Sequence, residues 1–360
     1  MPPSPPETLP RKGRGAGSNG AGRFEATTRV AVDDGWGSLE AEPVKLETIV
    51  RAVVAKSIIS RNNSPDIPFE QSINPYYGCE HGCIYCYARP SHGYLNLSPG
   101  LDFETRLFYK PNAAELLDAE LRRPGYRVSP IALGANTDPY QPIEREHRVT
   151  RGILEVLARF RHPVSIVTKG VLIERDLDLL AAMARDNLVH VGITLTTLDP
   201  ALKRTLEPRA AAPAARLRVM RQLADVGVPV RVMFSPVIPF VNDAELERAL
   251  EAGAEAGAHA ASYILLRLPH EVKDLFREWL DAHLPLKAEH VMSLINQSRG
   301  GKDYDAAWGT RMRGSGNFAD LIAQRFRLAR RRLRLDQARS GYNLDLFRVP
   351  PKAGDQLGLF

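Results

Sequence analysis

The chain has 360 residues and a mass of 39.9 kDa, which is enough for one large domain with extensions. Hydrophobic residues make up 44% of it and the mean hydropathy is -0.24, as in ordinary globular proteins. No apolar stretch approaches the ~20 residues of a membrane span, and the N-terminus offers no apolar signal core. We therefore expect a cytoplasmic protein that does not bind membranes, with a mild basic excess of +6.

The first 44 residues are rich in Pro, Gly, Arg and Ser. Such a composition does not bury enough apolar surface to fold alone, so it predicts a flexible N-terminal arm over residues 1–44. Within the arm, the residues around Arg23 are candidates for docking on the body. We expect the main domain over residues 45–300 and a basic helical C-terminal extension with a tail peptide over residues 301–360.

Apolar runs alternate with amphipathic segments through the main domain. Strands are predicted over 71–77, 130–134, 164–168, 188–196, 228–236 and 261–268. Helices are predicted over 112–122, 148–160, 174–185, 214–226, 243–253 and 271–282. Six alternating strand–helix units predict an α/β fold with a parallel sheet and right-handed crossovers. Sites in such sheets lie at the carboxyl ends of the strands.

All three cysteines of the chain lie directly after the first predicted strand, as Cys79, Cys83 and Cys86 with the spacing C-x₃-C-x₂-C. An odd number of cysteines argues against a disulfide framework. Three thiolates leave one iron of a four-iron cluster without a protein ligand, and that iron is free to bind a substrate or cofactor. The alternative is a non-catalytic binding protein with a zinc knuckle, in which His81 or His92 is the fourth ligand.

With the aromatic Tyr85 directly before the third cysteine, this motif resembles the radical S-adenosylmethionine (radical SAM) signature C-x₃-C-x-aromatic-C. The resemblance implies a [4Fe-4S] cluster whose open iron binds S-adenosyl-L-methionine (SAM). It implies cleavage of SAM to methionine and a 5′-deoxyadenosyl radical, with an electron from a reductase, flavodoxin or ferredoxin. It also implies a TIM-like partial (β/α)6 barrel, open on one side.

Two further motifs resemble one branch of this superfamily, spore photoproduct lyase and its relatives called DNA repair photolyases. They are the loop that begins Asn136-Thr137-Asp138 and the strand end Val167-Thr168-Lys169. The resemblance implies that Lys169 and threonine hydroxyls contact SAM, and that Ile238 contacts its adenine. The candidate cofactor-binding residues are Tyr85, Thr137, Asp138, Lys169, Thr194, Thr196 and Ile238. The alternatives are threonines that simply favour strands and a lysine that extends to solvent.

One departure from the lyase concerns its hydrogen donor. That enzyme uses a cysteine three residues before the aspartate that Asp138 matches, and here this residue is Ala135. The tyrosines of the cysteine loop are the remaining hydrogen donors, and Tyr87 is the candidate catalytic residue beside the three cysteines. We therefore do not expect strict spore photoproduct lyase activity.

Two C-terminal features suggest partners. Between residues 325 and 339 stand seven arginines, Arg325, Arg327, Arg330, Arg331, Arg332, Arg334 and Arg339. This arginine stripe is either a DNA phosphate footprint or a solvated helix face. The last five residues, from Gln356 to Phe360, resemble peptides that dock on the bacterial sliding clamp, with a weaker copy at 343–347. The leading hypothesis is an enzyme acting on a DNA lesion or modified base, and the alternative substrates are a protein, an RNA or a small molecule.

Overall fold

The computed structural model describes residues 11–24, 46–337 and 341–351. The strands in these residues are β1 (Ile49–Ala52), β2 (Ile59–Arg61), β3 (Gln71–Ile73), β4 (Tyr76–Tyr77), β5 (Arg106–Tyr109), β6 (Ile131–Leu133), β7 (Val164–Thr168), β8 (Val189–Thr194), β9 (Val230–Val237) and β10 (Ala260–Leu265). The α-helices are α1 (Asp102–Thr105), α2 (Ala113–Leu121), α3 (Glu144–His147), α4 (Val149–Arg159), α5 (Leu177–Arg185), α6 (Pro200–Leu206), α7 (Pro213–Asp225), α8 (Leu246–Glu255), α9 (Val272–His283), α10 (Ala288–Gln297) and α11 (Gly316–Arg332). Short 3₁₀ helices cover Arg89–Leu95, Leu172–Asp176, Asp243–Glu245 and Pro285–Lys287.

The main sheet has seven strands in the order β10-β9-β8-β7-β6-β3-β2. Strands β3 and β6 to β10 run parallel, whereas β2 pairs antiparallel with β3. The parallel α/β fold predicted from the sequence is therefore confirmed, and each predicted strand overlaps one parallel strand. The carboxyl ends of these six strands lie at the same edge, which places the cysteine loop after β3 beside the loops after β6 to β10.

Burial explains why these segments form strands and helices. Strand β8 reads Val-His-Val-Gly-Ile-Thr and is buried at all positions but one, as expected for an inner strand of a parallel sheet. Helix α4 buries Val149, Ile153, Leu154 and Leu157, which recur at helical spacing on one face. The core between the sheet and its helices therefore follows the apolar periodicity of the sequence.

The main sheet is open in the part of the chain that the structure describes, because the edge strands β2 and β10 pair with inner strands only. The two edges are connected by side chains. The Asp66 carboxylate, in the loop between β2 and β3, accepts hydrogen bonds from Arg311 Nε and Nη2 at 2.7 and 2.5 Å. Beside β10, the Leu265 amide donates to Met312 O at 2.9 Å. The curvature of a partial barrel stays a prediction.

A second sheet, in the order β1-β5-β4, was not predicted. Its shortest strand has two residues, Tyr76 and Tyr77, and lies directly before the cysteine loop. The docking expected around Arg23 is confirmed by the hydrogen bond from its amide to Glu271 Oε1 at 3.0 Å. Residues 14–20 are a departure from the sequence prediction, because this part of the expected flexible arm also forms fixed contacts with the body. One example is the Ala16 amide, which donates to Glu104 Oε1 at 2.9 Å. Composition alone does not reveal such a buried carboxylate partner.

The end of the arginine stripe, at Arg330 to Arg334, lies at the edge of the sheet opposite to the cysteine loop. Its helix, α11, ends at Arg332, and the following Leu335 carbonyl accepts from the Ala261 amide at the start of β10. Arg325 is not available for phosphate, because it binds Glu247 at 2.7 and 2.6 Å. Arg327, Arg331, Arg332 and Arg334 are exposed, and Arg339 lies outside the described residues.

Of the two clamp-like segments, the structure describes only the weaker copy at 343–347. In the weaker copy, the Phe347 ring lies 6.2 Å from the ring of Phe160 and 5.7 Å from that of Tyr126, so this copy is docked on its own domain. The stronger copy, which includes Gln356 and Phe360, lies outside the described residues, and its interpretation as a clamp ligand stays a prediction. No helix in the described ranges has the length and apolar character required to cross a bilayer.

Candidate active site

The cysteine loop leaves the small sheet at Tyr77 and folds tightly at two glycines. Gly78 and Gly82 have φ angles of 73° and 67°, in the left-handed region that favours glycine. The loop is tied to its surroundings by backbone hydrogen bonds from the Cys79 amide to Phe103 O and from the Ile84 amide to Leu206 O. Cys79 and Cys83 are buried and Cys86 is half-buried, and all three are free thiols.

Arg89 fixes the shape of this loop by hydrogen bonds to its backbone. Its side chain is fully buried and donates to the backbone oxygens of Cys83 at 2.9 Å and Gly82 at 3.2 Å. It also donates to the oxygens of Pro99 and Gly100. A buried guanidinium needs a counter-charge, and Glu104 supplies it at 2.5 Å.

The three thiols fit an iron–sulfur cluster by their burial and their proximity. Burial raises the pKa of Cys83 to about 12 and raises the pKa of Cys79 and Cys86, and the thiols interact electrostatically with one another. Three neighbouring thiols, two of them buried and one half-buried, are suitable ligands for iron, which displaces their protons on binding. In a four-iron cluster each thiolate binds a different iron, so the three thiols do not have to converge on one point. In agreement with this, the described residues contain no group of three His, Cys, Asp or Glu side chains that could hold a single metal ion.

Both histidines proposed as zinc ligands have other partners. His81 Nδ1 lies 3.3 Å from Asp138 Oδ2. His92 Nε2 lies 3.0 Å from the Arg106 carbonyl oxygen, and its ring packs edge-on against Phe103. Neither contact is directed at a thiol, so the structure gives no support to the fourth ligand of a zinc knuckle.

Lys169 brings a positive charge from the end of β7 to the cysteine loop. Its Nζ lies 5.9 Å from the centre of the Tyr85 ring. Burial alone lowers the pKa of this ammonium, but its electrostatic interactions with Cys83 and Glu207 outweigh burial, so the pKa is raised. Within the described residues its ammonium has neither a hydrogen bond nor an ion pair, so it is available to an anionic ligand.

Asp138 organises the loop after β6. Its carboxylate accepts from Thr168 Oγ1 at 2.6 Å, from the Lys169 amide at 2.8 Å and from the Tyr140 amide at 2.9 Å. Burial opposes its ionisation, but His81 and these hydrogen bonds lower its pKa to about 2. Asp138 therefore links the ends of β6 and β7, and the same loop buries Thr137, whose hydroxyl donates to Tyr76 O at 3.1 Å.

A buried network at the end of β8 contains two residues that the sequence did not reveal. Glu207 accepts hydrogen bonds from Tyr85, Thr196 and Arg216, and all four side chains are buried. Burial opposes ionisation of Glu207, but Arg216 and Lys169 lower its pKa to about 2. The network positions the Tyr85 ring of the cysteine loop. Its members are separated by up to 131 positions along the chain, so no local pattern could indicate it.

The remaining predicted residues also lie at this edge. Thr194 is buried at the end of β8, and Ile238 is buried after β9 in one apolar cluster with Cys83 and Tyr85. The Tyr87 hydroxyl donates to the backbone oxygen of Ala135. The structure therefore brings the predicted site residues to the carboxyl ends of the strands around the cysteine loop.

Exposed aromatic rings on this side of the sheet are paired with cations. Tyr87 is 45% exposed beneath the Arg267 guanidinium, whose carbon lies 5.2 Å from the ring centre. Phe240, in the loop after β9, is 51% exposed with Lys287 Nζ at 5.3 Å. The exposed rings of Phe24 and Tyr94 lie 5.1 Å apart and share Arg23 at 4.8 and 5.9 Å. We call these four rings and three cations the aromatic rim.

Comparison with known proteins agrees with this site. The sequence profile of the radical SAM superfamily matches residues 73–253, half of the chain. An uncharacterized protein of Mycobacterium tuberculosis is 40% identical over 231 residues, which cover 63% of this chain and 68% of that protein. An uncharacterized protein of Methanocaldococcus jannaschii is 29% identical over 201 residues, which cover 56% of this chain and 71% of that protein.

Solved structures of spore photoproduct lyase share the fold. One mutant superposes with a TM-score of 0.57 at 14% identity, covering 79% of both chains. Another mutant, with bound AdoMet and dinucleoside spore photoproduct, superposes with a TM-score of 0.54 at 13% identity over 79% of this chain and 78% of that one. At such identities the likeness concerns the fold.

Proposed function

The chain belongs to the radical SAM superfamily, and from that premise we propose that it acts on a nucleic acid, with a DNA lesion or a modified base as substrate. The observation that carries the proposal is the aromatic rim beside the cysteine loop. Exposed aromatic rings are platforms on which bases stack, and neighbouring cations attract the phosphates of the strand. Both elements lie on the side of the sheet where the chemistry takes place.

The cofactors of the protein are a [4Fe-4S] cluster and SAM. When bound, the cluster supplies the electron that cleaves SAM to methionine and a 5′-deoxyadenosyl radical, and an electron donor must reduce it. We propose that Cys79, Cys83 and Cys86 hold the cluster. The donor is a reductase, flavodoxin or ferredoxin in this proposal, in a reducing compartment such as the cytoplasm.

For SAM, the contacts of each candidate residue suggest its role. The free ammonium of Lys169 is suited to the SAM carboxylate, and the apolar Ile238 is suited to the adenine. Asp138 already accepts three hydrogen bonds, so we assign it to holding the loop. The hydroxyls of Thr137 and Thr196 donate within the protein, and each oxygen can still accept a hydrogen bond from a ligand. Tyr85 belongs to the same apolar cluster as Ile238 and is assigned to an apolar contact.

Tyr87 is the hydrogen-donating residue of the proposal. Its hydroxyl reaches the Ala135 carbonyl, so a tyrosine oxygen occupies the neighbourhood in which the lyase relies on a cysteine. Nearby, Arg267 lies over the face of its ring. Without a cysteine donor, we expect the protein to differ from spore photoproduct lyase in how it returns hydrogen to the substrate.

Binding of a fluorescent single-stranded oligonucleotide to the cluster-loaded protein tests the proposal. Changing Tyr94→Ala or Phe240→Ala should weaken binding about tenfold, because each removes one stacking platform. Val226→Ala is the control, since this exposed residue lies just before β9 at the opposite end of the sheet, and it should bind like the unmodified protein. Equal affinity in all variants would show that bases do not stack on the aromatic rim, and it would favour a protein or small-molecule substrate.

A further inference from the structure

Residues 14–20, here called the strap, lie across the outside of the cysteine loop. Ala16 is fully buried and packs in the same apolar cluster as Cys83, Ile84 and Tyr85. The approach of the two backbones is close, because a Cβ atom added to Gly15 would lie 1.8 Å from the carbonyl oxygen of Gly82. Only glycine fits at Gly15, and Gly82 is the residue between the first two cysteines where the loop turns.

A single buried carboxylate connects the strap to the loop. Glu104 accepts from the Gly15 amide through Oε2 and from the Ala16 amide through Oε1, both at 2.9 Å. The same carboxylate neutralises Arg89, which in turn holds the carbonyl oxygens of Gly82 and Cys83. A buried charge that loses its hydrogen-bond donors is costly, so release of the strap would disturb the anchor of the loop.

Further contacts fix both ends of the strap. At one end, Arg14 donates to Leu46 O at 2.9 Å and to Thr48 Oγ1 at 3.0 Å. At the other end, Asn19 and Asp102 are joined by two hydrogen bonds, one donated by Asn19 Nδ2 and one by the Asp102 amide, both at 3.0 Å. The strap is thus held on both sides of the point at which it meets the cysteine loop.

We propose that the strap is part of the cluster site: it covers the cysteine loop and, through Glu104 and Arg89, holds the loop in the shape that retains the cluster. Gly15, Glu104 and Arg89 are positioning residues, since none of them supplies a ligand. The inference rests on the cluster of the proposed function and is independent of the nucleic-acid substrate. If the docked strap favours binding of the cluster, then binding of the cluster must in turn favour the docked strap.

Two glycine variants make a matched test. Gly15→Ala places a methyl group against the Gly82 carbonyl, whereas Gly20→Ala, in the same strap, places one where no atom lies within 4 Å. We would load both with iron anaerobically and measure the rate at which EDTA removes it. Gly15→Ala should lose iron about tenfold faster, because the strap can no longer donate both hydrogen bonds to Glu104. Gly20→Ala should lose iron at the unmodified rate.

Two other measurements keep the test decisive if Gly15→Ala does not fold. Glu104→Gln keeps the shape of the side chain but removes one acceptor and the charge that balances Arg89, and it should also speed iron loss. In the unmodified full chain, trypsin cleavage after Arg14 should be about tenfold slower with the cluster than without it. Equal cleavage with and without cluster, or equal iron loss in all variants, would overturn the proposal. A failure to bind nucleic acid would leave these results unchanged.

Discussion

Lys169 brings a positive charge to a site whose carboxylates already have partners. Asp138 is fully hydrogen-bonded and Glu207 is paired with Arg216, so the carboxylates beside the cysteine loop are already neutralised. The ammonium of Lys169 lacks a hydrogen bond or ion pair within the described residues. An ammonium without a direct partner is suited to bind an anion, and the carboxylate of SAM is such an anion.

Changing Lys169→Met should therefore weaken SAM binding while leaving the cluster in place. A charge-assisted hydrogen bond contributes about 1.5–3 kcal/mol, so we expect roughly a ten- to hundredfold increase in Kd. Anaerobic calorimetry with SAM measures the affinity, and iron content measures cluster retention. Lys302→Met, which removes an exposed charge elsewhere, is the control. An unchanged Kd in Lys169→Met would show that another group binds the carboxylate.

At this scale, residues with a local signal were predictable and residues with a distant partner were not. The cysteine spacing and the polar strand ends indicated where Cys83, Asp138 and Lys169 would meet. The role of Glu104 was not predictable, because the strap amides that it accepts from lie 88 and 89 positions away in a segment of low-complexity composition. Hydrogen bonds between such distant segments leave no periodicity in the sequence.

Among the elements, the six strand–helix units were predictable because each buries an apolar face of regular period. Strands β1 and β5 were not, since each has only four residues. Strand β4 lies within the predicted strand 71–77, but it pairs with β5 across the cysteine loop and not with the main sheet. A basic C-terminal helix was predicted, and α11 confirms it. The direction in which this helix runs was not predicted. Helix α11 runs away from the cysteine loop, and its last arginines, Arg330 to Arg332, lie near the start of β10.

This placement predicts a limited role for the stripe. Replacing exposed Arg331 and Arg332 with Ser should reduce the salt dependence of DNA binding, by a slope of about 0.9 for each phosphate that the variant no longer neutralises. SAM cleavage without DNA should be unaffected, because Arg331 and Arg332 lie at the opposite end of the sheet. Binding titrations at several salt concentrations measure the slope. An unchanged slope would identify the stripe as a solvated helix face.

Arg325→Ser tests whether an arginine of the stripe that is paired within the protein stabilises the fold without contributing to DNA binding. Arg325 binds the Glu247 carboxylate through two hydrogen bonds, which joins α11 to α8. Removing this side chain should lower the thermal midpoint of the protein and leave the salt slope as it was. If this variant changed the slope as much as the replacement of the two exposed arginines, a general effect of net charge would explain both results.

For the whole molecule, the open sheet raises the question of what keeps its two edges in place. Asp66 lies in the loop between β2 and β3 at one edge, and Arg311 lies in the segment that follows α10 and runs along β10 at the other edge. Their paired hydrogen bonds at 2.7 and 2.5 Å, together with the Gly309 amide at 3.3 Å from Asp66, connect loops 243 to 245 positions apart. This ion pair ties the C-terminal segment to the first strands of the domain.

Breaking this pair should loosen the two loops without unfolding the sheet. In Arg311→Met, we expect faster hydrogen exchange of backbone amides in residues 301–314 and 62–70, because local opening no longer has to break the ion pair. Amides of β7 and β8, at the centre of the sheet, should exchange as before. Hydrogen exchange followed by mass spectrometry measures all these segments in one sample.

Arg313→Met is the matched control, since it removes an arginine two residues away that does not contact Asp66. Asp66→Asn should reproduce the effect of Arg311→Met, and the double variant should show no further increase, because both changes remove the same interaction. If exchange rose equally in all segments, the pair would be stabilising the domain as a whole. If it rose in neither loop, the ion pair would not be what restrains these two loops.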